Sequence, residues 1–340
     1  MRYIIYGAGG IGGGIAGRLL QAGHNVVAIA RGDHLSAIQN DGLRLRTPDD
    51  QWTAKLEAVG HPREIEWTAD DVVLCTMKSQ DTQAALQDLL AAAGHRVPVV
   101  CTQNGVENER LARRLFDSVY AMLVVMPATF LEPGLIDMHG TPHSGLLDAG
   151  RYPDGIDDTI AGLCTALSDS GFVSRPDARV MRLKYGKLLD NLSNAMQALC
   201  GPDAAKDSAY PEEGGQEFML QLQQEALTCY NAAGIDYASQ EEIGEMRRQV
   251  FSLGEIKGSI RGGGSTWQSF ARGLPSIETD YLNGEITLLG ALHGVLTPYN
   301  RILQTTTQQA HREGAAPGAY SVELLQALVD EAELLEELEL

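Results

Sequence analysis

The first thirty-one residues leave this chain few folds to choose from. The run Met1-Arg2-Tyr3-Ile4-Ile5-Tyr6 is apolar and short enough for a buried strand, and it leads straight into Gly7-Ala8-Gly9-Gly10-Ile11-Gly12. A helix-compatible segment with Ile15, Ala16, Leu19 and Leu20 follows, then a second apolar run, Val26-Val27-Ala28-Ile29-Ala30. Strand, G-x-G-x-x-G turn, helix and strand make one βαβ unit with a dinucleotide fingerprint in its first turn. Gly7 permits the tight turn, Gly9 lets the backbone approach a pyrophosphate, and Gly12 lets helix and strand pack closely. Backbone N–H groups at the helix start then face the phosphate charge.

The end of the second strand selects the dinucleotide. An acidic residue there binds a ribose 2′-hydroxyl, whereas an Arg accommodates a 2′-phosphate. The chain has Arg31-Gly32, and a guanidinium fork suits phosphate. NADP(H) is therefore expected over NAD(H). Asp33 is read as the N-cap of a helix holding Leu35, Ile38 and Gln39.

With 340 residues the chain can build two domains. Its formal charge of −19 and lack of any basic run argue against nucleic acid or an anionic membrane as partner. Five scattered cysteines, none in C-x-x-C, read as reduced, buried thiols. The first strand follows Met1 at once, which leaves no room for a signal peptide, and no apolar stretch approaches the roughly 20 residues of a membrane span. A soluble, cytoplasmic protein is expected.

The first half alternates strands (71–75, 97–101, 119–125) with helical segments (82–93, 107–115), as in a mostly parallel, doubly wound sheet. Residues 134–148 read as short antiparallel strands. From about residue 156 the periodicity is helical to the end, interrupted at Gly201–Gly215 and Gly258–Ser265. The expected class is α/β: an N-terminal doubly wound dinucleotide-binding domain, residues 1–174, and a C-terminal all-α domain, residues 175–340. Residues 321–340 form an acidic, leucine-rich helix, for which packing on its own domain is the first expectation and a homodimer contact the second.

Lys187, Asn191 and Asn194 fall at spacings of four and three on one predicted helix, within roughly 60° of each other at 100° per residue. An ammonium and two amides on one face can grip a carboxylate and a keto oxygen; a solvated helix face is the plainer alternative. Glu278 is placed in the first turn of a helix, where a carboxylate also favours the dipole. Ser265 and Thr266 follow a glycine run and suit a turn or a pair of carboxylate-binding hydroxyls. Thr76–Gln80 and Gln103–Val106 each follow a strand at the sheet edge where open α/β folds bind ligands. No His/Cys/Asp/Glu set has metal spacing, so no metal is expected.

In this order, Gly7–Gly12, Ala30-Arg31-Gly32, Thr76–Gln80, Asn104-Gly105, Ala128-Thr129, Lys187–Asn191, Ser265–Gly284 and Thr297–Arg301 together resemble the ketopantoate reductase (2-dehydropantoate 2-reductase) family across nearly the whole chain. The resemblance implies a Rossmann domain and a helical domain with the active site in the cleft between them. It implies NADPH-dependent reduction of a small keto acid, 2-dehydropantoate, to pantoate, a step toward pantothenate. Lys187 matches the family's general acid and Glu278 its active-site Glu, which would hold a substrate hydroxyl or orient the lysine and nicotinamide. Asn191, with Asn194 beside it, matches the substrate-binding Asn, and Ser265 and Thr266 match the hydroxyl segment. Lys78, Asn104 and Ala128 fall at cofactor-contacting positions, Asn104 at the substrate as well. The chain departs from the family in several places: the second Asn comes one residue early at Asn194, Ser265-Thr266 followed by Trp267 stands for Ser-Ser followed by Met, Met126-Pro127-Ala128-Thr129 stands for a His-Gly-Ala-Thr type segment, and the chain runs longer than typical members around Gly201–Gly215 and at its C-terminus. A reductase of another 2-keto acid or an imine, and a non-enzymatic NADPH sensor, remain the alternatives; Lys187 and Glu278 speak against the sensor.

Overall fold

The computed structural model describes residues 1–201, 214–259 and 263–339. The chain forms two compact units, Met1–Lys184 with Ala238–Ile260, and Tyr185–Tyr237 with Arg261–Leu340. Residues 202–213 of the first expected interruption, and 260–262 of the second, lie outside the described residues.

The first unit opens with β1 (Arg2–Tyr6), α1 (Gly10–Gln21), β2 (Asn25–Ile29) and α2 (Gly32–Asp41). Next come β3 (Leu43–Arg46), β4 (Gln51–Ala54), β5 (Glu57–Val59), β6 (Asp71–Cys75), α3 (Ser79–Ala93), β7 (Val99–Cys101), α4 (Asn108–Arg113) and β8 (Val119–Met122). It continues through β9 (Ala128–Thr129), β10 (Leu135–Met138), β11 (Gly140–Pro142), β12 (Ala149–Arg151) and α5 (Asp158–Asp169). The changeover between units falls inside α6 (Val180–Asn191). In the second unit follow α7 (Ser193–Cys200) and α8 (Gly215–Ala233), while α9 (Gln240–Val250) and β13 (Phe251–Leu253) return to the first. The second closes with α10 (Ser265–Ala271), a 3₁₀ turn at Thr279–Tyr281, α11 (Asn283–His293), α12 (Pro298–Arg312) and α13 (Val322–Glu339).

The main sheet has the order β12-β8-β7-β6-β1-β2-β5, parallel except for β12. Apart from polar residues at strand ends such as Arg2, Asn25, Glu57, Asp71 and Arg151, its strands are apolar, as in a sheet covered on both faces. Tyr3, Ile5, Val26 and Ala28 join one core, whereas Ile4, Tyr6, Val27 and Ile29 join the other. The chain winds from β1 outward to β2 and later resumes on the opposite side at β6, so the order reverses between β1 and β6. The carboxyl edge of that strand pair is where doubly wound sheets take ligands.

Four local readings are corrected. β10 pairs antiparallel with β9 but parallel with β3, so residues 134–148 are not simply antiparallel. β11 pairs with β13, a strand within the stretch expected to be helical; β-branched or aromatic content in a three-residue strand is too little for a periodicity to show. Asp33 is not the N-cap of α2: Arg31 holds that position and Asp33 sits in the first turn, where its charge favours the dipole. Of the cysteines, Cys200 is half-buried and the other four are buried.

The regular elements among the described residues of the second unit are all helices. Phe218, Leu222, Ala226 and Cys229 put one stripe of α8 inward, and α12 starts with Pro298 at its first position and buries Leu303, Thr307 and Ala310. Among the described residues no helix is long and apolar enough to cross a membrane.

Candidate functional site

In the first unit the fingerprint loop lies at the carboxyl edge of β1, against the loop that follows β6. Gly7 has φ +104°, and a Cβ there would stand 2.7 Å from the Met77 nitrogen. Thr76 donates its Oγ1 hydrogen to the Gly7 carbonyl (2.7 Å), and a Cβ on Gly12 would collide with that hydroxyl and the same carbonyl. Gly9 is different. It caps α1 with no side-chain hydrogen bond, and a Cβ on it would meet protein only at the Phe130 ring, 3.7 Å away. Packing does not require glycine at position 9. An open backbone at a helix N-terminus fits a pyrophosphate, so the loop fits a dinucleotide. Gly10 and Ala128 adjoin, since a Cβ on Gly10 would be 3.6 Å from the Ala128 Cβ. Ala8 and Ile11 complete the loop, Ala8 buried and Ile11 half-buried.

Arg31 is exposed where β2 gives way to α2. Burial raises the pKa of the neighbouring Tyr6 hydroxyl, and the Arg31 charge pulls it back. His34, which sequence reading passed over, ties this corner together. The Gly134 N–H donates to its Nδ1 (2.9 Å), which leaves Nε2 to donate to the Ala8 carbonyl (2.6 Å).

Lys78 is the N-cap residue of α3, and Asn104 follows β7 on the next loop along the same edge. A buried polar network joins these two loops. Gln103 Nε2 donates to the Met77 carbonyl (2.8 Å) and to Thr82 Oγ1 (2.7 Å). Thr82 donates to Asn108 Oδ1 (2.8 Å), and Asn108 Nδ2 donates to Ser79 Oγ and to the Asn104 carbonyl, both at 3.1 Å. Gln103 belongs to a segment expected at the ligand edge, but Thr82 and Asn108 have no linear signature, because they act only once β6 and β7 are side by side.

The remaining candidates are in the second unit. The predicted helix carrying Lys187, Asn191 and Asn194 divides at Leu192: Lys187 and Asn191 are on α6, Asn194 on α7. Leu192 keeps helical backbone angles, and its carbonyl accepts from buried Asn283 Nδ2 (3.3 Å). Lys187 is half-buried, with Asp190 Oδ2 3.9 Å from its Nζ. Asn194 Nδ2 donates to Ser265 Oγ (3.5 Å), and Gln197 Oε1 accepts from the Gly264 N–H (2.9 Å), which seats α10 on α7. Buried Asn191 Oδ1 and Thr266 Oγ1 have no hydrogen-bond partner among the described residues. Buried polar atoms are normally satisfied, so these two, like the neighbouring Thr279 Oγ1 and Asn283 Oδ1, could take a hydrogen bond from a water or a ligand. Glu278 is 3 % exposed and precedes the 3₁₀ turn, not a longer helix, and its side chain makes no capping bond. Among the described residues, no group of three His, Cys, Asp or Glu could hold a metal.

Residues 3–152 match the family described as "Ketopantoate reductase PanE/ApbA", and residues 179–311 match "Ketopantoate reductase PanE/ApbA C terminal". A 2-dehydropantoate 2-reductase of Mesorhizobium japonicum is 38 % identical over 325 residues, covering 88 % of this chain and 94 % of its own. Among solved structures, a PanE/ApbA family ketopantoate reductase from Ralstonia eutropha JMP134 superposes with a TM-score of 0.76 at 28 % identity, covering 92 % of this chain and 99 % of its own. D-mandelate dehydrogenase, solved with NADH and anilino(oxo)acetate, shares the fold with a TM-score of 0.78 at 21 % identity and the same coverage.

Proposed function

Because this chain belongs to the ketopantoate reductase family, we propose that it is an oxidoreductase that reduces 2-dehydropantoate to pantoate with NADPH. The family match across both halves of the chain carries this reading, and the open Gly9 backbone at the β1/β6 edge supports it independently.

Bound at that edge, NADPH would supply the hydride that reduces the keto carbon. Gly7, Ala8, Gly9, Gly10, Ile11 and Gly12 would hold the pyrophosphate through backbone N–H groups, and Arg31 would take the 2′-phosphate. Lys78, Asn104 and Ala128 complete the cofactor contacts in this reading. Lys187, as an ammonium, polarises the keto oxygen and gives it a proton as negative charge builds there. Asn191, Asn194, Ser265 and Thr266 hold the polar ends of the substrate; the unpartnered Asn191 Oδ1 and Thr266 Oγ1 support those roles. Glu278 holds a substrate hydroxyl or orients Lys187.

A second reading, reduction of another 2-keto acid or an imine, draws on one observation. The break at Leu192 puts Asn191 and Asn194 on separate helices at a spacing one residue shorter than the family pattern. NADPH oxidation followed with 2-dehydropantoate beside a panel of other 2-keto acids separates the two. A kcat/KM above about 10⁴ M⁻¹s⁻¹ for 2-dehydropantoate, and below that for the others, supports the first reading. Turnover confined to another keto acid supports the second.

A further inference from the structure

Glu109 and Lys184 form an ion pair with no access to water. The Lys184 Nζ is 2.6 Å from Glu109 Oε1, and their side chains are 3 % and 0 % exposed. They come from α4 and α6, and neither carries an exposed end. Glu109 Oε2 has no hydrogen-bond partner among the described residues, and burial pushes the Glu109 carboxyl up while Lys184 pulls it down. A pair so placed is a poor device for stability: desolvating two charges cancels much of their attraction, and apolar residues of similar volume often do as well or better. What the pair does hold is backbone. The Lys184 ammonium donates to the Gln103 carbonyl at 2.8 Å, one residue before Asn104. Gln103 is 4 % exposed and is the same residue whose amide grips Met77 and Thr82 beside Lys78.

We propose that Glu109 and Lys184 are a positioning pair that fixes the Gln103 carbonyl and, through the Gln103–Thr82–Asn108 network, sets the two loops bearing Lys78 and Asn104 for a nicotinamide dinucleotide. The proposal rests on the reading of this edge as the cofactor site. Glu109 orients the ammonium, the ammonium locks the peptide after β7, and Gln103 transmits that position to the peptide before Lys78. The dinucleotide never touches the pair.

The test is a double replacement, Lys184→Met with Glu109→Leu, in the full chain. It removes both charges together and leaves no buried ion alone. Melting temperature and the dissociation constants for NADPH and NADH are measured beside the wild type. The expected result is a melting temperature equal to or above that of the wild type, with both dinucleotides bound at least tenfold more weakly. At saturating NADPH, kcat should fall less than kcat/KM for NADPH. A second double variant, Lys184→Met with Glu109→Gln, also leaves no buried ion and guards against a first variant that does not fold; it should weaken NADPH severalfold at near-native melting temperature. Dinucleotide affinity within twofold of wild type in a folded variant overturns the proposal, as does loss of affinity only in variants that also lose stability. If the wild type binds NADPH but does not reduce 2-dehydropantoate, the substrate reading falls and the dissociation constants still judge the pair. If it binds neither dinucleotide, both fall.

Discussion

Gly9 and Gly12 stand three residues apart in the same loop, yet they answer to different demands. A Cβ on Gly12 would press on Thr76, the Gly7 carbonyl and Ile5, all held by the sheet, whereas a Cβ on Gly9 would touch only Phe130 at van der Waals distance. Gly12→Ala should therefore cost about 1–3 kcal/mol of folding stability, the usual range for overpacking, and weaken NADPH as Thr76 gives way. Gly9→Ala should fold like the wild type and lose NADPH. Denaturant unfolding with and without cofactor reads both; equal stability loss in the two variants would refute the distinction. Lys187 belongs to the chemistry in our reading, so Lys187→Ala should lower kcat by about 10²–10⁴ while NADPH affinity stays near wild type. Unchanged turnover would remove the proton from Lys187. Residue roles of this kind were readable from the sequence where a motif fixes them, as at Gly7–Gly12. Thr76 and Gln103 lie in segments singled out at the sheet edge, but the backbone groups they hold were not legible, and His34 was missed, since each acts on backbone from a different strand or loop.

At the scale of elements, local periodicity carried the reading a long way. β6 falls on the expected residues 71–75, α3 adds one turn to the expected 82–93, and α13 spans nearly all of the acidic C-terminal segment. It failed where a neighbour distant in sequence decides the outcome. Glu225 shows how. Its Oε1 accepts from the Tyr299 N–H (2.8 Å), and its Oε2 accepts from the Asn300 N–H (3.0 Å) and Nδ2 (2.7 Å), so a residue of α8 caps α12. Asn300 in turn accepts from Asn283, which holds the Leu192 carbonyl at the break between α6 and α7. Burial pushes the Glu225 carboxyl up to about 7, helped by the charge of Glu333 and opposed by its three donors. Below pH 4.5 the group is protonated in both folded and unfolded chains and costs nothing. Between 4.5 and 7 the unfolded chain releases its proton first, so stability falls as pH rises, by up to about 3 kcal/mol in all. Glu225→Gln should remove that slope: about 1 kcal/mol less stable than the wild type at pH 4.5, because one donor faces an amide NH₂, and about 2 kcal/mol more stable above pH 7, where the buried carboxylate no longer has to ionise. Urea unfolding from pH 4.5 to 8 measures it. An unaltered slope in the variant would place the titration elsewhere.

Across the whole molecule, the division into two units confines the entire fingerprint to the first, along with Arg31, Lys78 and Asn104. The sequence boundary expected at 174/175 lies just before Pro176 and Asp177, which precede a long helical stretch; the units change over inside α6, and Ala238–Ile260 returns to the first by pairing β13 with β11. Such a return is invisible to periodicity, because the pairing joins residues more than a hundred positions apart. The formal charge of −19 also bears on the cofactor, since a strongly acidic molecule must bind a polyanion through local cations. Arg31 is the one expected at the 2′-phosphate, and global stability reports its contribution. A ligand that binds only the folded chain stabilises it by about 2.7 kcal/mol at a hundred times its dissociation constant, on the order of 5 °C for a chain of this size. NADPH should therefore raise the melting temperature by about that much, and NADH at the same concentration by clearly less. Arg31→Ala should bring the NADPH rise down to that of NADH without changing the melting temperature of the cofactor-free protein, because Arg31 is exposed. Equal rises for the two cofactors in the wild type would take the 2′-phosphate away from Arg31. A larger rise with NADH would reverse the cofactor assignment while leaving the dinucleotide site where the glycines put it.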